Sequence, residues 1–313
     1  MILKKIIFTH GGGRFGNQLI NYIHLSAFGL ENKGVSIKQN VLGDYLHPKN
    51  GDFIVSNGKI DLLTIVETKT QNKFTKIFFR IIKNSKIRFQ HFFAHYFKSN
   101  TSLIIGERGN NIGYLFGKKY RDLILDNDFF ELLGNKTLLA GWGFRNWPLV
   151  IKWKDVISEN LSSVLKNKSS KVDNFTIGVH MRGSDFISHA DGELYFSDIE
   201  WSNALKIIEK KLQVNSVIIT SDELQDWSKI LKDNDQWEVS SGSFGFKGTM
   251  FDSFSDLLRC DFILTSGSTF SLMAAWISNC KVIDISQVTN DKPLNIMEFE
   301  EWSKHRSFLL NWK

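Results

Sequence analysis

The chain has 313 residues, 42% of them hydrophobic and 23% charged, which excludes a disordered chain and suits two domains better than one. Three prolines exclude a proline-rich linker, and Cys260 and Cys280 alone exclude a disulfide scaffold or a paired zinc ribbon, so a reducing compartment is expected. A net charge of +6 favours an anionic partner without singling out nucleic acid, whose signatures are absent.

The opening MILKKIIFTHGGG has too short an apolar run for a secretory signal, and no stretch has the length of a membrane span. A chain without a Golgi-type anchor is therefore expected. KKIIFTH (4–10) reads as a strand and GGGRFG (11–16) as a glycine loop. A helix should run from Asn17 to Asn32, with Ile20, Ile23, Ala27 and Leu30 on one face and Gly34 ending it. VSIKQN (35–40) completes a parallel βαβ start.

Residues 68–106 contain no acid, but hold Lys69, Lys73, Lys76, Arg80, Lys83, Lys86, Arg88 and Lys98. Phe74, Ile77, Phe78, Ile81 and Ile82 have helical spacing against that basic face. Two readings stand: a core helix with a solvated basic face, or a surface helix making peripheral membrane contact through 69–98.

The second half is more regular. FTIGVH (175–180), SVIIT (216–220), DFILTS (261–266) and KVIDIS (281–286) are short apolar strands, separated by amphipathic segments 198–212, 223–232 and 269–278. Such alternation indicates an α/β class with a parallel sheet covered on both faces, whose ligands bind beyond the strands' carboxyl ends. The polar run SENLSSVLKNKSSKVDN marks the boundary between domains 1–160 and 161–296, and 297–313 reads as a helix returning to the first domain.

Three clusters sit at those strand ends. Arg182 follows strand 175–180 and can aim a bidentate fork at a phosphate; an Arg182–Asp185 ion pair holding a turn is the alternative. Asp222 follows strand 216–220, where an acid holds ribose hydroxyls or purine N–H groups, or simply caps the next helix. Thr265 to Ser271 place hydroxyls at a helix N-terminus, a phosphate cradle or a plain Ser268 cap. Two anion-suited sites at neighbouring strand ends favour a diphosphate. In the glycine loop, Arg14 suits an anion, and the amides of Asn17 and Gln18 suit hydroxyls; a tight turn with an Asn cap is the alternative. No metal-ligand spacing, P-loop, GxSxG elbow or reactive cysteine stands out.

Gly13-Arg14-Phe15-Gly16-Asn17-Gln18, then Gly141-Trp142-Gly143-Phe144-Arg145-Asn146-Trp147, then His180-Met181-Arg182 through Asp185, then Ser266-Gly267-Ser268-Thr269-Phe270-Ser271 with Ala274-Ala275-Trp276, follow one another in the chain. In this order they resemble the motifs of the α-1,2-fucosyltransferases, glycosyltransferase family 11. The resemblance spans about residues 11–286. Gly183 stands where the family usually has a second arginine, Gly267 replaces an asparagine, and Leu272-Met273 replace a tryptophan pair. The GRFGNQ start and GVHMRGSDF also resemble protein O-fucosyltransferases.

The resemblance implies a GT-B fold, two Rossmann-like domains facing across a cleft, with GDP-fucose bound by the C-terminal one. It also implies inversion at the sugar carbon with no metal or other cofactor required. On it, Arg182 binds the β-phosphate of the leaving GDP, helped by Ser268, Thr269, Phe270 and Ser271, and His180 belongs to the same catalytic group. Asp222 holds the guanosine. Arg14 and Asn17 act from the opposite wall, on phosphate or acceptor, and Gln18 is a substrate-binding candidate beside them. Asp185 is the first candidate base, with Asp191 and Glu193 behind it. The expected acceptor is an oligosaccharide, lipid-linked and met by a cytoplasmic enzyme at the inner face of a bacterial membrane, in surface polysaccharide synthesis. The alternatives are another GDP-6-deoxy sugar donor, a protein acceptor, or a non-catalytic nucleotide- or glycan-binding relative.

Overall fold

A computed structural model describes residues 4–10, 13–39, 46–48, 55–56, 59–60, 63–65, 89, 101–105, 118–119, 124–141, 143–165, 175–183, 186–223, 225–226, 230–231 and 236–305. The chain divides into two compact units, Met1–Asn160 with Asn311–Lys313, and Leu161–Leu310.

The first unit opens with β1 (Lys4–His10), α1 (Phe15–Glu31) and β2 (Val35–Gln39). β1 and β2 pair in parallel from Lys4↔Val35 to Phe8↔Gln39, so the βαβ start stands. α1 begins two residues before the expected Asn17, because Gly13 takes φ +83° and turns the chain so that an extended Arg14 becomes the N-cap. Ile20, Ile23, Ala27 and Leu30 are buried, but so are Tyr22, Leu25 and Phe28. The helix is covered nearly all round rather than on one face.

Short strands follow: β3 (Leu46–Pro48), β4 (Val55–Ser56), β5 (Lys59–Ile60) and β6 (Leu63–Ile65). Then come β7 (Thr101–Ile105), β8 (Lys118–Lys119), α2 (Asn127–Leu132) and β9 (Lys136–Ala140). Helices α3 (Trp147–Lys152) and α4 (Lys154–Leu165) end the unit, the boundary falling within α4. The sheet runs β5-β4-β2-β1-β9-β7-β8, and β3 and β6 form a separate antiparallel pair. Strands β2 to β8 of that order are parallel, with β4 and β5 added antiparallel at one edge.

The second unit contains β10 (Thr176–Met181), α5 (Asp198–Leu212), β11 (Ser216–Ser221) and β12 (Trp237–Val239). It continues with α6 (Met250–Leu257), β13 (Phe262–Thr265), α7 (Thr269–Ser278), β14 (Lys281–Asp284), β15 (Ile296–Met297) and α8 (Phe299–His305). The sheet order is β12-β11-β10-β13-β14-β15, parallel except for β15. Successive strands first build outward on one side of β10 and then on the other. The order therefore reverses between β10 and β13, where open α/β sheets leave a crevice at the carboxyl ends.

One face of β10 carries Ile177, Val179 and Met181, which pack with Trp201, Leu205 and Ile208 of α5 in a dry core. Burying such side chains stabilises by roughly 1.5–3 kcal/mol each. On the other face Gly178 has no room for a side chain: a Cβ there would meet Leu257, Cys260 and Ile263 at 2.8–2.9 Å. Both units are thus α/β with a parallel sheet, as the sequence led us to expect. α8 packs on the second unit, where Trp302 Nε1 donates to Asp284 Oδ2 at 3.2 Å; residues 306–313 lie outside the described residues. The basic segment 69–98 lies outside them except for Phe89, as does most of 223–232. Among the described residues, no helix is long and apolar enough to cross a membrane.

Candidate active site

The parallel register of the second unit ends with Met181 opposite Ser221, so the next residue on each strand projects from the sheet's carboxyl edge side by side. Those residues are Arg182 and Asp222. Arg182 Nη1 lies 2.9 Å from Asp222 Oδ2, both side chains mostly buried. The other carboxylate oxygen accepts the Gly183 N–H at 3.2 Å. One acid thus clamps the guanidinium and the backbone that follows it. The guanidinium also lies over the Phe186 ring, 5.4 Å from its centre. The sequence offered Asp185 as the partner; Ser184 and Asp185 lie outside the described residues.

On the other side of β10, the turn from β13 into α7 comes alongside. His180 is buried, and its Nδ1 shares a hydrogen bond of 3.0 Å with Ser268 Oγ. Its ring leans on Phe270, centroids 4.7 Å apart. Ser268 is the N-cap residue of α7, but its side chain makes no capping bond; it serves His180 instead. The turn is built around Gly267 at φ +106°, whose N–H bonds Thr265 Oγ1 at 3.0 Å. Ser271 is fully buried, its hydroxyl donating to Ser268 O at 3.0 Å and lying 2.8 Å from Thr265 Oγ1. Ser271 thus holds the turn's shape, while Thr269 and Phe270 are only half-buried. Ser266 Oγ is buried with no hydrogen-bond partner, a polar atom left over at the strand tip.

On the β11 side of Arg182 lies a cavity of about 370 Å³. Arg182, Gly183, Tyr195, Asp198, Glu223 and Asp226 are among its walls. Gln225 bridges its floor: in the amide orientation that satisfies both ends, it donates to Asp198 at 2.8 Å and accepts from Ser221 Oγ at 3.1 Å. Of these wall residues, sequence reasoning placed Arg182 and Gly183 in one strand-end cluster and Glu223 in the next, but gave a binding role to Arg182 alone. Tyr195, Asp198 and Asp226 belong to a long loop, a helix start and a third segment, so nothing local joined them. Asp191, at φ +55°, and Glu193 are exposed on and beside the 3-10 turn His189–Gly192.

In the first unit, Arg14 is exposed at the head of α1. Asn17 fills the space beside Gly13, where an added Cβ would come within 2.7–2.8 Å of its side chain. Gln18 folds back, its Nε2 donating to Gly13 O at 3.2 Å, while its buried Oε1 has no partner. The predicted Arg14, Asn17 and Gln18 therefore sit together at the glycine loop. His180, Arg182, Asp222, Ser268, Thr269 and Phe270 sit together at the carboxyl edge of the second sheet.

A feature the sequence reading missed continues down α1. Asn21 and His24, spaced three apart from Gln18, are fully buried. Arg145 Nη1 donates to Asn21 Oδ1 and to Phe144 O, both at 2.9 Å. Asn146 N–H donates to His24 Nδ1 at 2.9 Å. Burial pushes the Arg145 guanidinium down to about 10, and Nε has no partner. Burial, with the Arg145 charge, holds His24 well below the usual imidazole range, so it is neutral. The signal was available: Gln18, Asn21 and His24 recur at helical spacing in a largely apolar helix.

A family model described as glycosyl transferase family 11 matches residues 118–313. Among solved structures, POFUT1 in complex with GDP-fucose is similar at a TM-score of 0.45 and 12% identity, over 90% of this chain and 95% of that one. The fucosyltransferase NodZ from Bradyrhizobium is similar at a TM-score of 0.43 and 11% identity, over 94% and 98%. MnaA of S. aureus with UDP is similar at a TM-score of 0.39 and 15% identity, over 92% and 80%. A search of curated proteins finds no match.

Proposed function

The chain belongs to glycosyl transferase family 11, and from that premise we propose that it transfers fucose from GDP-fucose to a glycan hydroxyl, with inversion and an α-1,2 linkage. The observation that carries the reading is the clamp of Arg182 by Asp222 at the sheet's carboxyl edge, beside the point where strand order reverses.

As the glycosidic bond breaks, negative charge builds on the departing GDP and positive charge on the sugar ring. Arg182 binds the β-phosphate and neutralises that charge. Asp222 fixes the orientation of the guanidinium beforehand, so little reorganisation is left for the moment of reaction. The amides at the head of α7, with Thr269, take the remaining phosphate oxygens. His180 holds Ser268 and so the shape of that turn. Asp222 also meets the guanosine, and Arg14 and Asn17 act on the phosphate or the acceptor. Asp185 accepts the acceptor hydroxyl's proton. No metal is needed in this scheme, because a guanidinium and helix amides carry the anionic charge.

The test is Arg182→Lys, assayed for fucose transfer from GDP-fucose with folding checked by thermal melting. A lysine is a point charge and cannot replace a bidentate fork. Turnover should collapse; near-wild-type turnover would remove Arg182 from the role. The acceptor is taken as lipid-linked oligosaccharide for surface polysaccharide, met at the inner face of a bacterial membrane through basic residues of 69–98. Anionic vesicles should then sediment with the chain in a salt-sensitive way. Unchanged binding after neutralising the charges at 73–88 would end that part.

A further inference from the structure

The cavity beside Arg182 has the wrong sign for a diphosphate. Among the described residues, Asp198, Glu223 and Asp226 line it, with Arg182 as the cation. A pyrophosphate placed there would face carboxylates. The α7 turn with its amides lies at the tip of β13, on the opposite side of β10 from β11, whose trailing residues supply Glu223 and Asp226. Asp222 is turned to Arg182 and the Gly183 N–H and is not among the cavity's lining residues.

What this wall suits is a neutral ring bearing hydroxyls. Carboxylates accept hydrogen bonds from hydroxyls, and several placed around one rim can read several of them. Tyr195, 40% exposed, adds an aromatic ring to the lining. The volume of about 370 Å³ is near the lower end for small-molecule pockets and suits one or two sugar rings.

Gly183 makes that acidic wall possible. A Cβ built at this position would collide with the Glu223 carboxylate, so any side chain here displaces Glu223 from the cavity.

We propose that this cavity is a saccharide subsite that takes a neutral sugar ring of the acceptor, with Glu223 as the residue that selects it. The assignment rests on the glycosyl-transfer reading above, and it places part of the acceptor on the second unit.

The experiment is saturation-transfer NMR on the full chain loaded with GDP, against methyl β-galactoside, lactose, N-acetyllactosamine, methyl β-glucoside and N-acetylglucosamine. At least one should bind. Glu223→Gln should weaken it by about tenfold or more, since hydrogen bonds to a charged acceptor are the stronger class. Gly183→Ala should weaken it similarly by displacing Glu223, and Asp226→Asn, at a second carboxylate of the lining, should weaken it as well. GDP affinity of the Glu223→Gln chain, by calorimetry, should stay within about twofold of wild type. If no saccharide binds, the proposal is wrong. If Glu223→Gln weakens GDP and leaves the saccharide unchanged, the cavity houses the nucleoside and the proposal is equally wrong. Failure of the wild-type chain to bind GDP sinks the donor assignment instead, and saccharide titration without GDP then decides the cavity by itself.

Discussion

The two units hold one arginine each in opposite ways. In the first, Arg145 is buried, and no acid pairs with it among the described residues; an asparagine and a backbone carbonyl receive it, and its Nε receives nothing. In the second, Arg182 stands at a strand tip beside a carboxylate and a cavity. A buried unpaired guanidinium is expensive, so its neighbours must be fixed by packing. A tip arginine with an acid beside it is held in place but stays within reach of a ligand. Burial alone therefore does not single out Arg182 as the proposed phosphate ligand; position on the sheet does.

The sharpest way to break this contrast is Arg182→Ala. Loss of one preorganised donor to the leaving group should lower turnover by about 10²–10³-fold while the chain stays folded, read by steady-state kinetics beside a thermal melt. If the variant instead unfolds and residual folded enzyme turns over normally, Arg182 is a structural residue like Arg145, and the contrast is gone.

Much of this contrast was legible before the structure. The strands at 4–10, 175–180 and 216–220, and helices 198–212 and 269–278, lie where period and glycine punctuation put them, because apolar β-branched runs and polar turns are local signals. The residues at the strand ends followed from one topological rule. What was not legible was pairing across the chain. Arg182 meets Asp222, forty positions away, only because β10 and β11 register Met181 against Ser221. The short strands β7 and β9, and the bond from Arg145 to Asn21, depend likewise on which segments fold beside each other. Ser268 read as part of a phosphate cradle or as a plain helix cap; its hydroxyl is held by His180, a competition only the packed structure decides.

The first unit's side of the comparison is tested by His24→Ala. The ring packs edge-on against Trp147, centroids 4.6 Å apart, and accepts the Asn146 N–H. Truncation leaves a cavity and a partly buried donor without an acceptor, so urea denaturation should show a loss of about 2–4 kcal/mol. A loss under about 1 kcal/mol would mean that the buried polar stripe of α1 does not hold the GWGFRNW segment.

The same residue should give the first unit a pH signature. His24 is kept neutral in the folded chain by burial and by the Arg145 charge, whereas an unfolded imidazole titrates near 6.5. Below that pH the unfolded chain binds a proton that the folded chain refuses. Stability should thus be full above about 6.5 and fall as the medium becomes more acidic, with a slope approaching about 1.4 kcal/mol per pH unit. Glu31 and Glu200, held below the usual carboxylate range chiefly by Lys152 and Ser197, add their own losses only at lower pH. His24→Gln should flatten the curve between about pH 6.5 and 5; an unchanged slope would assign it to other histidines.

The smallest effect belongs to the second unit, at the ends of α5. α5 starts with Ser197 and Glu200 capping each other's backbone N–H, and stops at Gln213 in the left-handed conformation, φ +51°. An L-residue there costs about 1–2 kcal/mol, while a glycine adds back roughly 0.5–1 kcal/mol through the freedom it has when unfolded. The first term is the larger, so Gln213→Gly should raise stability by about 0.5–1 kcal/mol, seen as a higher urea midpoint at unchanged slope. The position is exposed and at the far end of α5 from the cavity walls at Asp198. Saccharide binding should therefore not move with it. Were it to move, the length of α5 would be coupled to the cavity, and the second unit would share the first unit's reliance on a helix interior to hold its site.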